Sequence, residues 1–229
     1  MYKVSRASSI VLKNRSESEH SWHLDMQIRK ESIRKRIIIM ARQEFCSKGL
    51  KRTSMKDIAS ASGIAVGNIY NYFKSKNDIF VEICSPLMKA LDDLVMQENG
   101  SRNQTIDMFY VVNYQDAMIT RFLRIIKEYR HELRLLLFEA SGTPLEDYFR
   151  HYAAKQAAVG QMYISAMKEK YPHINGNISP YLIELNCNMW FSLMRIVIQN
   201  ENMNSEELQR FVTDYITFST AGWKKLFGI

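Results

Sequence analysis

Apolar residues recur at three- and four-residue intervals along most of the 229-residue chain, the spacing of amphipathic helices. Four prolines and nine glycines leave few places where that pattern must break, so the chain reads as almost entirely helical. The first patterned segment runs from about Ile28 to Lys48. There Ile33, Ile37, Met40, Ala41 and Phe45 fall on one face, and Gly49 follows as a C-terminal cap. Residues 1–28 are polar, rich in Ser, Arg and Lys, and weakly periodic. They are expected to form a flexible basic arm, with an arm tracking a DNA groove as the sharper alternative and a short helix anchored to the body by Trp22 and Leu24 as another.

Residues 53–76 carry the densest local signal. Ser54 precedes the apolar positions Met55, Ile58 and Ala59, with Asp57 placed to complete a capping box. Gly63 supplies the positive φ of a sharp turn. Ile64 and Ile69 then plug the angle between two short helices, and Ile58 and Phe73 join them in the core. Asn68, Tyr70, Asn71 and Tyr72 are left to point outward. This is helix-turn-helix geometry over about 54–73, in which the second helix is offered to a major groove.

Ser75, with Asp78 three residues on, opens a long helix carrying Ile79, Phe80, Ile83, Leu87, Leu91, Leu94 and Val95. Pro86 lies inside it, withholds a helical N–H from Glu82 and predicts a kink and a domain boundary nearby. A loop at 99–104 precedes helical patterning over about 105–128 and 130–140. Thr143-Pro144 marks a helix start, with Pro at the first helical position and an end near Tyr171. Ser179-Pro180 opens the next helix, to about Asn200, and Ser205 the last, to about Phe227. The expected domains are the arm at 1–28, a DNA-binding domain at 29–90, and a larger helical domain at 91–229.

Charge sharpens this division. Residues 1–80 hold 16 Lys/Arg against 7 Asp/Glu, net +9, and the remainder hold 15 against 17, net −2. A basic excess coinciding with a helix-turn-helix is the footprint of a polyanion. Cys46, Cys84 and Cys187 are far apart and form no ligand spacing, so free thiols in a reducing compartment are expected, with no metal and no cofactor. No signal peptide and no run of about 20 apolar residues is found, and a cytoplasmic, membrane-free protein is expected.

On these residues, 30–91 resemble the DNA-binding domain of the tetracycline-repressor (TetR) family of bacterial transcription regulators. The matching positions are Ala41, Phe45 and Gly49; Thr53, Ser54, Ile58 and Ala59; Ala61, Gly63 and Ile64; then Asn68, Ile69, Tyr70, Tyr72, Phe73, Ser75, Lys76 and Phe80. Gly67 and Asn68 stand where small, Pro or Thr residues are frequent in that family. Tyr72 stands where His or Tyr is usual. These departures bear on the operator sequence and not on the fold. The resemblance implies an all-α protein: an N-terminal three-helix DNA-binding domain followed by a divergent ligand-binding and dimerisation domain.

Site roles follow from chemistry. Thr53 and Ser54 stand at a helix N-terminus, where hydroxyls, free N–H groups and the dipole favour phosphate. Lys76 offers a second phosphate contact, which the resemblance supports, and Tyr70 a third through its hydroxyl. Asn68 and Asn71 suit the N6/N7 edge of adenine. Val66 and Gly67 permit close approach at the tip of the reading helix, Met55 and Lys56 reach in from the first helix, and Tyr72 completes the set.

In the larger domain, soft and aromatic side chains suggest an apolar pocket for a small-molecule effector: Phe109, Met118, Phe122, Phe138, Tyr152, Met162, Tyr163, Met167 and Trp190, with Asn186 as a polar contact. His131, Asn188 and Arg195 are further polar candidates. The last two helices are apolar nearly all round, and pairing them with a second copy covers them. Leu182, Leu185, Met189, Leu193, Phe211, Tyr215, Phe218 and Trp223 are the expected dimer contacts. The chain therefore reads as a homodimeric regulator, a repressor that binds a palindromic double-stranded DNA operator and is released by a largely apolar ligand. Release on ligand binding is what the resemblance implies. A non-specific architectural DNA-binding protein is the alternative. An all-helical enzyme is a further one, but no Gly-rich phosphate loop, H-E-x-x-H or G-x-S-x-G occurs and the histidines are scattered.

Overall fold

The computed structural model describes residues 5–99, 105–110 and 112–229, and all regular structure among them is helical. The helices are α1 (Ser5–Lys48), α2 (Met55–Ser62), α3 (Val66–Ile69), α4 (Lys76–Asn99), α5 (Val112–Glu128), α6 (Arg130–Phe138), α7 (Tyr148–Lys170), α8 (Pro180–Gln199) and α9 (Ser205–Phe227), with a 3₁₀ turn at Ile106–Phe109. Two compact units emerge, Met1–Ile79 and Phe80–Ile229. The sequence sets its boundary between 90 and 91; the backbone divides between Ile79 and Phe80, inside α4.

The helix preceding the turn is longer than its periodicity predicts. It begins at Ser5, so the expected arm is helical from there on, and residues 1–4 lie outside the described residues. Residues 1–48 contain neither Gly nor Pro, so nothing interrupts the hydrogen-bond ladder even where no apolar stripe marks it. Ile37, Ala41 and Phe45 are buried, and Ile33 and Met40 are half-buried. α1 packs on α2 and α2 on α3, with Leu50, Ile58, Ile69 and Phe73 buried in the same unit. Each fully buried large apolar side chain contributes about 1.5–3 kcal/mol. Ile64 is only half-buried.

The caps form as the sequence predicts. Ser54 Oγ accepts from Asp57 N at 3.2 Å while Ser54 N donates to Asp57 Oδ2 at 2.8 Å. Ser75 and Asp78 repeat the exchange at 3.0 and 3.2 Å. Gly63 has φ +64°, and the paired bonds Gly63 N to Ser60 O (3.2 Å) and Ile64 N to Ala59 O (3.1 Å) close α2 in a Schellman motif.

Two helix starts in the second unit differ from expectation, whereas the long helix runs on past Pro86 as its apolar positions predict. α4 continues through Pro86 to Asn99. Residues 100–104 of the expected loop lie outside the described residues. α7 starts at Tyr148, not at Pro144. There Thr143 Oγ1 donates to Ala140 O (2.7 Å) and accepts from Leu145 N (3.1 Å), so the Thr-Pro pair forms a hydroxyl-stabilised turn ahead of the helix. At α9 the cap is Asn204, whose Oδ1 accepts from Glu206 N and Glu207 N, both at 2.9 Å. α7 packs on α8, α6 on α8 and α5 on α9.

Candidate nucleic-acid interface and ligand chamber

α3 supplies a single helical turn whose bonds run on as a tight turn, with Tyr72 N and Phe73 N both donating to Ile69 O. Buried Ile69 and Phe73 anchor it, and the Arg34 guanidinium lies over the Phe73 ring at 5.0 Å. Gly67, Asn68, Tyr70 and Asn71 are exposed on its far side, and Val66 and Tyr72 are half-buried. A Cβ at Gly67 would meet nothing within 4 Å, so this tip is open to close approach. Lys56 is exposed and Met55 half-buried. The structure thus brings together most of the expected reading face.

Two of the expected phosphate contacts are committed elsewhere. Thr53 is 1% exposed. Its hydroxyl donates to Gly49 O at 2.9 Å and Glu44 O at 3.3 Å, so it closes the end of α1 and has no hydroxyl to offer a phosphate. The Lys76 ammonium donates to Leu50 O at 2.7 Å and Thr53 O at 2.9 Å, with Lys51 O at 3.4 Å. It places a positive charge on carbonyls that follow a helix C-terminus, where a cation is favoured. Ser54 is exposed, but its hydroxyl is engaged with Asp57 Oδ2 at 2.5 Å. Hydrogen bonds from the Ser54 hydroxyl and backbone hold the Asp57 carboxyl below the usual carboxylate range.

The second unit contains a partly open cavity of about 270 Å³. Of the expected lining, Phe109, Met118, Phe122 and Tyr152 border it, as do Tyr163, Asn186 and Trp190. Phe122 and Trp190 stack with ring centroids 3.7 Å apart and planes within 4°, and Tyr215 meets Trp190 edge-on at 4.4 Å. Tyr152 donates its hydroxyl to Leu91 O at 2.8 Å. Burial pushes the Tyr152 and Tyr215 hydroxyls far above their usual range and the Cys187 thiol up to about 11, so these lining and flanking groups stay neutral.

Three expected pocket residues lie elsewhere. Met162 is 74% exposed on α7. Met167 is fully buried in a core cluster with Ile174, Ile178 and Phe227. Phe138 packs under the Arg195 guanidinium at 5.0 Å. Of the further polar candidates, His131, Asn188 and Arg195 are exposed and do not border the cavity. Pattern reading missed Gln115, Gln156, Cys187, Ser219 and Thr220. Gln156 had a signal: Tyr152, Gln156, Gly160 and Tyr163 follow helical spacing, so a polar residue stands in the buried stripe of α7.

The sequence profile of the bacterial regulatory proteins of the tetR family matches residues 37–83, the segment that holds the end of α1, the helix-turn-helix and the start of α4. Residues 37–83 therefore carry the sequence signature of the tetR family. The transcriptional repressor KstR2 of Mycolicibacterium smegmatis is 38% identical over 52 residues, which are 23% of this chain and 25% of that protein. The match thus spans a quarter of the relative's length. Among solved structures, the fatty acid degradation regulator FadR of Bacillus halodurans aligns over 82% of this chain and 98% of its own, with TM-score 0.59 and 15% identity. FadR of Bacillus subtilis, solved in complex with stearoyl-CoA, covers 82% and 98% with TM-score 0.56 and 15% identity. These likenesses carry the TetR fold through the second unit, whose sequence matches no motif.

The expected dimer contacts separate into three groups. Leu185 and Phe218 are exposed, joined by Tyr181 and Ile196 on α8 and Leu226 on α9. Leu182, Met189 and Phe211 are half-buried. Leu193 is buried within the subunit and is corrected to a core residue. Tyr215 donates to Asn186 Oδ1 at 3.4 Å and Trp223 borders the cavity, so both are engaged within the subunit. Among the described residues no group of His, Cys, Asp or Glu is placed to hold a metal, and no helix is long and apolar enough to cross a membrane.

Proposed function

We propose that this TetR-family protein is a homodimeric, cytoplasmic transcriptional repressor that binds a palindromic DNA operator and releases it when a small, largely apolar molecule enters the chamber of the second unit. The observation that carries the DNA-binding half is the exposed set Gly67, Asn68, Tyr70 and Asn71 on a short helix anchored by buried Ile69 and Phe73. Rigid presentation of amides is what base-edge readout requires. The +9 charge of residues 1–80 supplies the sequence-independent attraction.

One such helix covers half a site. Two copies joined through the exposed faces of α8 and α9 would set two reading helices about 34–36 Å apart and make a four-helix seam. For the effector half, Leu91 and Leu94 of α4 border the chamber, while Lys76 at the other end of the same helix ties down the turn before α2. A ligand that displaced the chamber end of α4 would act on a helix whose first turn closes the DNA-binding unit. The equilibrium shifts only as far as the ligand prefers one state. A bound stearoyl-CoA in the B. subtilis neighbour supports a ligand role for the corresponding domain.

Selection of bound sequences from random duplexes tests this reading. An inverted repeat enriched over bulk DNA is expected. Binding without sequence preference would make the protein an architectural DNA binder, and no DNA binding at all would remove the proposal.

A further inference from the structure

The chamber carries a more specific message about its occupant. Gln156 borders it at 7% exposure, and among the described residues its amide has no hydrogen-bond partner within the chain. A buried primary amide left unpaired destabilises a fold unless something else pairs with it. Asn186 is different. Its Oδ1 accepts from Tyr215 Oη at 3.4 Å and from Ser219 Oγ at 3.3 Å, which fixes the amide and leaves the Nδ2 hydrogens unclaimed. Gln156 therefore offers a donor and an acceptor to the chamber, and Asn186 a donor.

None of the described residues bordering the chamber is Lys, Arg, His, Asp or Glu. A carboxylate or phosphate entering it would shed its hydration with no described counter-charge, which is costly. Phe122 and Trp190, stacked on one another, border the chamber together and give it an aromatic wall, which suits a flat aromatic occupant. At about 270 Å³ the space falls near the lower edge of the roughly 300–1,000 Å³ typical of ligand pockets.

Resting on the reading of the chamber as the effector site, we propose that the effector is an uncharged compound with a flat aromatic body and a carbonyl-type group read by Gln156 and Asn186. The test uses the full chain and three matched pairs at pH 7: 2-naphthamide and 2-naphthoate, cinnamamide and cinnamate, decanamide and decanoate. Trp190 and Trp223 border the chamber, so tryptophan fluorescence and thermal shift both report occupancy. Each aromatic amide should bind at least about ten-fold more tightly than its carboxylate, the worth of one charge or one good hydrogen bond, and decanamide should bind more weakly than either. Gln156→Leu should lower 2-naphthamide affinity about ten-fold, leave naphthalene binding unchanged, and leave the melting temperature unchanged or higher, since no internal bond is lost. Gln156→Met serves if the leucine variant does not fold. Carboxylates binding as well as their amides would overturn the uncharged class while leaving the chamber as effector site. Failure of all six compounds would overturn both. Undiminished 2-naphthamide binding in the Gln156 variants would overturn the assigned reading group.

Discussion

Asn71, in the turn that follows the reading helix, donates its side-chain Nδ2 to Asn68 Oδ1 at 3.1 Å. The two amides therefore act as a unit. Asn68 has its acceptor engaged and its Nδ2 available, whereas Asn71 keeps its own acceptor and a second hydrogen. Bidentate pairing with adenine needs donor and acceptor from one amide, which favours Asn71 as the adenine reader and Asn68 as its positioner. The Asn68→Ala and Asn71→Ala losses in operator affinity should be non-additive, with a coupling of about 1 kcal/mol. Additive losses in the double variant would separate the two residues.

Lys76 looks from sequence like a phosphate contact, yet its ammonium is spent on Leu50 O and Thr53 O. Hydrogen bonds to a charged group are worth about 1.5–3 kcal/mol. Lys76→Met is accordingly expected to lower the denaturation midpoint of the DNA-binding unit while leaving the salt dependence of DNA binding unaltered. A slope smaller by about one, with stability intact, would return Lys76 to the phosphate backbone.

Gly63 is required by its backbone conformation, and a side chain there would also ask the flexible Arg36 guanidinium to shift. Its φ of +64° is unfavourable for any residue with a Cβ, and that Cβ would stand 3.1 Å from Arg36 Nη2. Gly63→Ala should cost about 1–2 kcal/mol, a fall of about 4–8 °C in melting temperature per kcal/mol for a domain of this size. An unchanged midpoint in thermal unfolding would mean that the turn relaxes into another geometry.

Local chemistry made the DNA-binding unit legible. A capping box, a Schellman glycine and a staggered set of isoleucines each act within a few residues, so Ser54, Gly63 and Ile69 could be placed without knowing the rest. The bonds that engage Lys76 and Thr53 within the chain were not legible because their partners, Leu50 O and Glu44 O, lie across a turn and no residue pattern announces a backbone acceptor. The second unit obeys longer-range rules. Met162 and Tyr163 are neighbours in sequence, yet one faces solvent and the other the chamber. Composition alone cannot choose between them; the register of α7 against α8 does. Gly160 fixes part of that register, since a Cβ there would come within 2.8 Å of Ile183. The long α1 escaped notice because a helix without an apolar stripe has no period to detect.

The last prediction concerns pairing. Phe218 is 67% exposed on α9, and Leu185 and Tyr181 are exposed on α8. On α9, Phe218, Ala221, Gly222 and Leu226 recur at helical spacing, and Gly222 has open space where a Cβ would stand, so a partner helix can approach closely there. A single exposed apolar residue needs no explanation, but exposed apolar residues on both helices would be covered if a second copy packed there. Phe218→Glu and Leu185→Glu should each convert a dimer to a monomer at micromolar concentration, read by light scattering. Because neither side chain belongs to the subunit core, helicity should persist. Operator affinity should nonetheless collapse toward that of a half-site, since the second reading helix is no longer held by the first. A wild-type chain that is monomeric at the same concentrations, or variants that stay dimeric, would put the pairing surface elsewhere and leave the palindrome without a structural basis.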